Sequence, residues 1–138
     1  MSMTFDTKVA VVVRSDLAVW QKLNVTAFTI SGVVGSVEGL VGARYEDASG
    51  NLYLPMCIQP ILIFEADADQ IRRVYERAMK RDVKFSIYTE ALFATGNDID
   101  NRAAVRAKTS DELKIVGMAM RDNKKTIDKV LDGVRLHR

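Results

Sequence analysis

Two polar side chains share a helical face with aromatic rings near the start of this sequence. Trp20, Asn24, Ala27, Phe28 and Ser31 recur at steps of three and four, the spacing that stacks side chains along one side of a helix. A carboxamide set among rings wants several hydrogen-bond partners. Either neighbouring backbone supplies them, or Asn24 and Ser31 orient a bound ligand or substrate. Glu90 follows the alternating run Val83 to Tyr88 and so stands at a strand end. A carboxylate there serves as a general base if it is partly withdrawn from water, or as a cap for the short turn Glu90-Ala91-Leu92-Phe93. Asn24 and Glu90 are therefore the catalytic candidates. Arg14 and Asp16 flank a strand–helix corner, where an ion pair that locks the turn competes with direct contact to a ligand.

Other chemistries lack their residues. Cys57 is the one cysteine and His137 the one histidine, so neither a closed metal site nor a Ser-His-acid triad has its parts. The glycines show no phosphate-cradling spacing, and nothing calls for a cofactor or a metal. A net charge of +2 is too small to imply nucleic acid. The basic residues Arg72, Arg73, Arg77, Lys80 and Arg81 have no aromatic interleaving and read as a solvated helix face. Met1 to Thr7 is a loose segment without a basic region feeding an apolar core, and the apolar runs are short. No secretion signal or membrane span is expected, and a reducing cytoplasmic setting is the default.

The elements that must position these groups follow from patterning. With 48% hydrophobic and 28% charged residues, the 138-residue chain has the makeup of one globular domain. Lys8 to Val13 is nearly all valine, the pattern of a strand buried on both faces. Ser15 or Asp16 would cap a helix from Leu17 to Gly35. Val25, Ile30, Val33 and Val34 make much of its remaining surface apolar, so that helix is expected to be largely enclosed. Asp47-Ala48-Ser49-Gly50 reads as a hairpin loop, and Ile61 to Phe64 as a second strand. Asp67 and Gln70 form a capping box for a strongly amphipathic helix ending at Arg81. Val83 to Tyr88 and Leu113 to Met120 are further strands. Between them Asp98 or Asp100 opens a short helix through Val105, and Asn123 to Leu131 closes the chain before Gly133. Val134 to Leu136 adds a small edge strand. This order gives an α/β fold, a single domain over residues 1–138 with a small mixed sheet of about four strands flanked by helices.

The stretch Lys-Val-Ala-Val-Val-Val-Arg-Ser-Asp-Leu (Lys8 to Leu17) resembles the opening of the type-two peptidyl-tRNA hydrolases. Val25-Thr26-Ala27 falls where their first helix carries Val-Ala-Ala-Gln, and the later strands and helices match in layout. The hydrolases set Lys, Gln and His along that helix and an Asp-Ala-Gly corner after the third strand. Here the corresponding residues are Asn24, Phe28 and Ser31, with Glu90-Ala91-Leu92 at the corner. The chain thus looks like an uncharacterised branch sharing the hydrolase fold without its catalysts. The resemblance implies a homodimer, puts Lys22 near the family's phosphate grip, and sets Thr95, Asn97, Asn101 and Arg102 in loops over the same cleft.

Three functions compete on these grounds. The first is a domain binding a small molecule or a protein partner through Arg14, Lys22, Asn24, Phe28, Ser31, Thr95, Asn97 and Arg102. The second is a divergent hydrolase of an acyl ester or peptidyl-tRNA, with Glu90 as base and Asn24 orienting the scissile carbonyl. True peptidyl-tRNA hydrolysis is the third, and the modest charge and absent Lys and His argue against it. Phe28, which offers contact area and no proton chemistry, favours the first.

Overall fold

A computed structural model describes residues 4–138; of the expected loose segment Met1 to Thr7, the first three residues lie outside them. Strand β1 (Thr7–Arg14) is the middle of a five-stranded sheet ordered β5-β6-β1-β4-β7. Its neighbours are β4 (Ile61–Ala66), which runs parallel, and β6 (Ile115–Asn123), which runs antiparallel. The edges are β5 (Phe85–Thr89) and the two-residue β7 (Arg135–Leu136). The small C-terminal edge strand expected at Val134 to Leu136 is present as β7, pairing with Phe64 and Glu65, and brings the expected sheet of about four strands to five. Val9 to Val13 are at most 1% exposed, as the nearly all-valine run foretold. Burial of each such side chain contributes about 1.5–3 kcal/mol.

Each face of the sheet carries its own core. Ala10, Val12, Met118 and Met120 meet helices α2 (Ala68–Lys80) and α4 (Lys124–Val130) on one side. Asp67 and Gln70 complete the capping box at the start of α2 in both directions, at 2.8 and 3.0 Å. Val9, Val11, Val13 and Ala119 face helix α1 (Val19–Ser36) on the other. The connection from β1 to the parallel β4 also carries a separate hairpin, β2 (Tyr45–Glu46) and β3 (Leu52–Tyr53). Asp47 organises its tip, accepting from the Ser49 and Asn51 amides, Asn51 Nδ2 and Tyr53 Oη at 2.7–3.0 Å. The side-chain bonds from Asn51 and Tyr53 are the main reason its carboxyl is held down at about 2.

Two expectations for α1 fail. Ser15 and Asp16 do not cap it: Ala18 holds the cap position, its amide donating to Gln21 Oε1 at 2.9 Å. Asp16 is unavailable because Arg14 Nε donates to it at 2.6 Å. Nor is the helix largely enclosed. Only Val25, Thr29 and Val33, a stripe at steps of four, are buried, whereas Val19, Trp20, Leu23 and Phe28 are 57–74% exposed. Nothing among the described residues forms a further layer over this helix.

What lets α1 lie so low on the sheet is Gly117. It pairs with Val13 on one side and Tyr88 on the other, and a Cβ there would stand 2.1 Å from Val25 Cγ1. Gly32 of α1 crosses β5 nearly as closely, 3.2 Å from Ser86 Cβ by the same construction. Gly117→Ala must push a stiff, buried valine aside, and we expect a loss of about 1–3 kcal/mol in urea unfolding. Gly35→Ala is the control: it has open space around the added methyl and gains a few tenths to about 1 kcal/mol from helix propensity. Equal stability of Gly117→Ala and the parent chain would show that α1 does not rest on this strand.

Candidate functional site

Helix α1, the 3-10 turn Glu90–Ala94 and helix α3 (Asp98–Arg106) surround an open cleft of about 570 Å³. A smaller compartment of about 320 Å³ adjoins it toward the start of α1, and Phe28, Tyr88, Leu92, Asp98 and Asn101 line both. The elements that build it are local consequences of sequence. Asn97 ends the loop after the turn and caps α3, accepting from the Asp100 amide at 2.8 Å. Thr29 holds α1 against β5 through its carbonyl, which accepts from Ser86 Oγ at 2.6 Å.

Four rings form the floor and rims. The Trp20 ring lies 6.0 Å from Phe93, Phe93 lies 5.0 Å from Tyr88, and Tyr88 lies 6.1 Å from Phe28. These tilted and edge-on spacings are those at which aromatic pairs attract. The inner pair is sunk, and the ends, Trp20 and Phe28, are 60% and 57% exposed. An amphipathic helix would bury those two residues; here they stand at the mouth of the cleft.

The polar groups divide into spent and unspent. Ser31 Oγ donates to the Phe28 carbonyl at 2.5 Å, and Thr95 Oγ1 donates to the Leu92 carbonyl at 2.9 Å and also meets Asn101. Asn97 is occupied by its cap, where its Nδ2 also donates to Asp100 at 2.9 Å. Arg102 Nε donates to Asp98 at 2.8 Å. By contrast, the half-buried Asn24 makes no side-chain hydrogen bond among the described residues, and neither does Tyr88, which is only 7% exposed. No fully buried side-chain polar atom among the described residues lacks a partner, so both groups meet solvent, and the cleft is the space they line. Burial pushes the Tyr88 phenol above its ordinary value of 10, which leaves it a neutral donor near pH 7. Arg106, on the larger compartment, likewise has no side-chain hydrogen-bond partner among the described residues.

Of the residues singled out from sequence, Asn24, Phe28, Ser31, Thr95, Asn97 and Arg102 line one or other compartment. Three others do not. Arg14 joins Asp16 to Glu90, donating through Nη1 to Glu90 at 2.7 Å. Burial opposes its charge, yet the bonds and fields of Asp16 and Glu90 outweigh that and raise its pKa. The expected corner ion pair is present and extends to Glu90, which neither lines the cleft nor caps the turn. Lys22 points away from it, toward the far side of α1, where its ammonium meets His137 Nε2 at 3.1 Å. Tyr88, Phe93 and Arg106 went unread as site residues. Tyr88 carried a weak signal, as the last aromatic position of an alternating strand directly before the acidic corner.

Comparison with known proteins agrees with this picture of a shared architecture. A search of curated proteins by sequence finds no match. A solved protein of unknown function from Agrobacterium tumefaciens is 46% identical and superposes with a TM-score of 0.95, over 98% of this chain and 100% of the other. At that identity and overlap the two share their fold. A family model described as protein of unknown function (DUF2000) matches residues 7–138, essentially all of the described structure. The chain therefore belongs to the DUF2000 family.

Proposed function

We propose that this chain is a small-molecule-binding domain whose site is the cleft between α1 and α3, carried on a scaffold of the type-two peptidyl-tRNA hydrolase kind. One observation carries the reading: among the described residues, the Asn24 carboxamide and the Tyr88 hydroxyl stand without protein partners on a cleft wall whose other hydroxyls are all bonded. Both groups are open to solvent, so a ligand offering matching polar atoms exchanges its hydrogen bonds for those of water, while the surrounding rings supply the contact area. Aromatic walls with a few free polar groups are also the usual makeup of such sites.

Hydrolysis with Glu90 as base is less well supported. Glu90 is held by Arg14 outside the cleft, and the cleft's own carboxylate, Asp98, is held by Arg102. Mapping a library of small fragments on the full chain by amide chemical shifts tests the choice. Responses should centre on the Trp20 indole and the Asn24 side-chain amide, and Asn24→Ala should weaken the hits several-fold. Glu90→Gln should leave their affinity unchanged while lowering stability by about 1 kcal/mol, the scale of a partly exposed ion pair. Hits that map elsewhere, or acyl-ester turnover lost on Glu90→Gln, would end the reading.

We also infer that a second copy of the chain covers the β2–β3 hairpin. Tyr45, Leu52, Tyr53, Leu54 and Met56 are 51–82% exposed, and a lone two-stranded hairpin is only marginally stable in water. Five exposed large apolar side chains gathered in and beside one short hairpin mark a protein–protein contact rather than ordinary surface. Sedimentation should report a dimer that Leu54→Asp converts to a folded monomer, with a melting temperature that is lower and no longer depends on protein concentration; a monomeric parent chain contradicts this.

A further inference from the structure

We propose that the cleft selects planar aromatic carboxylic acids, with the ring between Trp20 and Phe28 and the carboxylate taken by the Tyr88 hydroxyl on the side toward Arg106. This rests on the reading of the cleft as a ligand site and adds the chemistry of the occupant.

The shape argues for a flat ring. Trp20, Phe93, Tyr88 and Phe28 form an unbroken aromatic series across the smaller compartment, whose outer members are over half exposed. A flat ligand ring over the mouth of that compartment would meet the exposed surfaces of Trp20 and Phe28, with the Tyr88 ring beneath it. The donors argue for an acceptor head. Tyr88 is 7% exposed and has no partner among the described residues, and it lines both compartments, so its hydroxyl serves a group placed where the two meet. A phenol hydrogen bond to a charged oxygen is roughly twice as strong as one to a neutral oxygen.

Charge argues for an anion. The larger compartment is lined by Arg102, Arg106 and Asp98; the first and last neutralise one another at 2.8 Å. That leaves Arg106 as the uncompensated charge facing the space beyond Tyr88. Asn24, with both donor and acceptor free, is left for a polar atom on the ring edge.

The test uses the full chain, 2-naphthoate and its neutral isostere 2-naphthamide. Binding is followed by calorimetry and by the signal of Trp20, the chain's one tryptophan. The acid should bind with a shift of the Trp20 indole, about tenfold or more tighter than the amide. Tyr88→Phe should cost the acid about tenfold, and Arg106→Gln, a surface change that spares the fold, should reduce the preference for acid over amide several-fold. Acid and amide binding equally, with Trp20 responding to both, would overturn the acid selectivity and leave the cleft reading intact. Acid binding that leaves Trp20 unmoved would overturn the cleft reading as well.

Discussion

Val25 rests on Gly117 with no side chain between helix and strand, and the geometry of the whole α1 face follows from that contact. Gly117 stands in one row with Tyr88, Val13 and Glu65 across the sheet. Where the other positions of the row carry side chains, the gap at Gly117 receives the valine. The helix is thereby lowered onto β6 and β5, close enough for the Thr29 carbonyl to take the Ser86 hydroxyl. Only Val25, Thr29 and Val33 are then fully buried against the sheet, with Ile30 and Val34 partly so. The rest of the helix, aromatic and aliphatic alike, is turned outward to neighbours or solvent.

The cleft is the consequence. Tyr88 flanks the gap at Gly117, so its ring is buried beneath the edge of α1 and wedged between Phe28 and Phe93. Stacking holds the ring while leaving the hydroxyl without a backbone group in reach. On the other wall, α3 is fixed by its Asn97 cap and by Asp98–Arg102, which consume the polar side chains nearest its start. The groups that remain free are therefore those whose neighbours are rings. A ring offers no lone-pair acceptor, so among the described residues Asn24 and Tyr88 find no protein partner beside it and turn to solvent.

Much of the fold was legible because some patterns admit one reading. A run of buried valines makes a central strand, and an Asp67–Gln70 capping box before a strict apolar stripe makes a helix. The exposure of α1 was not legible, since a helix apolar on most sides looks the same whether a second layer covers it or a cleft opens beside it. The capping of α1 was missed for a long-range reason: Asp16 is drawn to Arg14, and Arg14 in turn to Glu90, 76 residues away. The same pairing takes Glu90 out of play, which no local pattern around Glu90 could reveal. Asn24 and Phe28 were legible as a face. Tyr88 was not, because its free hydroxyl depends on two rings from separate elements.

The central claim is that α1, seated on Gly117, leaves Tyr88 and Asn24 unspent on an open wall. A high-resolution crystal structure of the full chain without added ligand addresses it most directly. The account predicts ordered water or a captured small molecule within hydrogen-bond distance of both Tyr88 Oη and the Asn24 carboxamide, in a cleft still open between α1 and α3. Tyr88 Oη bonded to a protein carbonyl, with α3 closed down on Phe28, would contradict it.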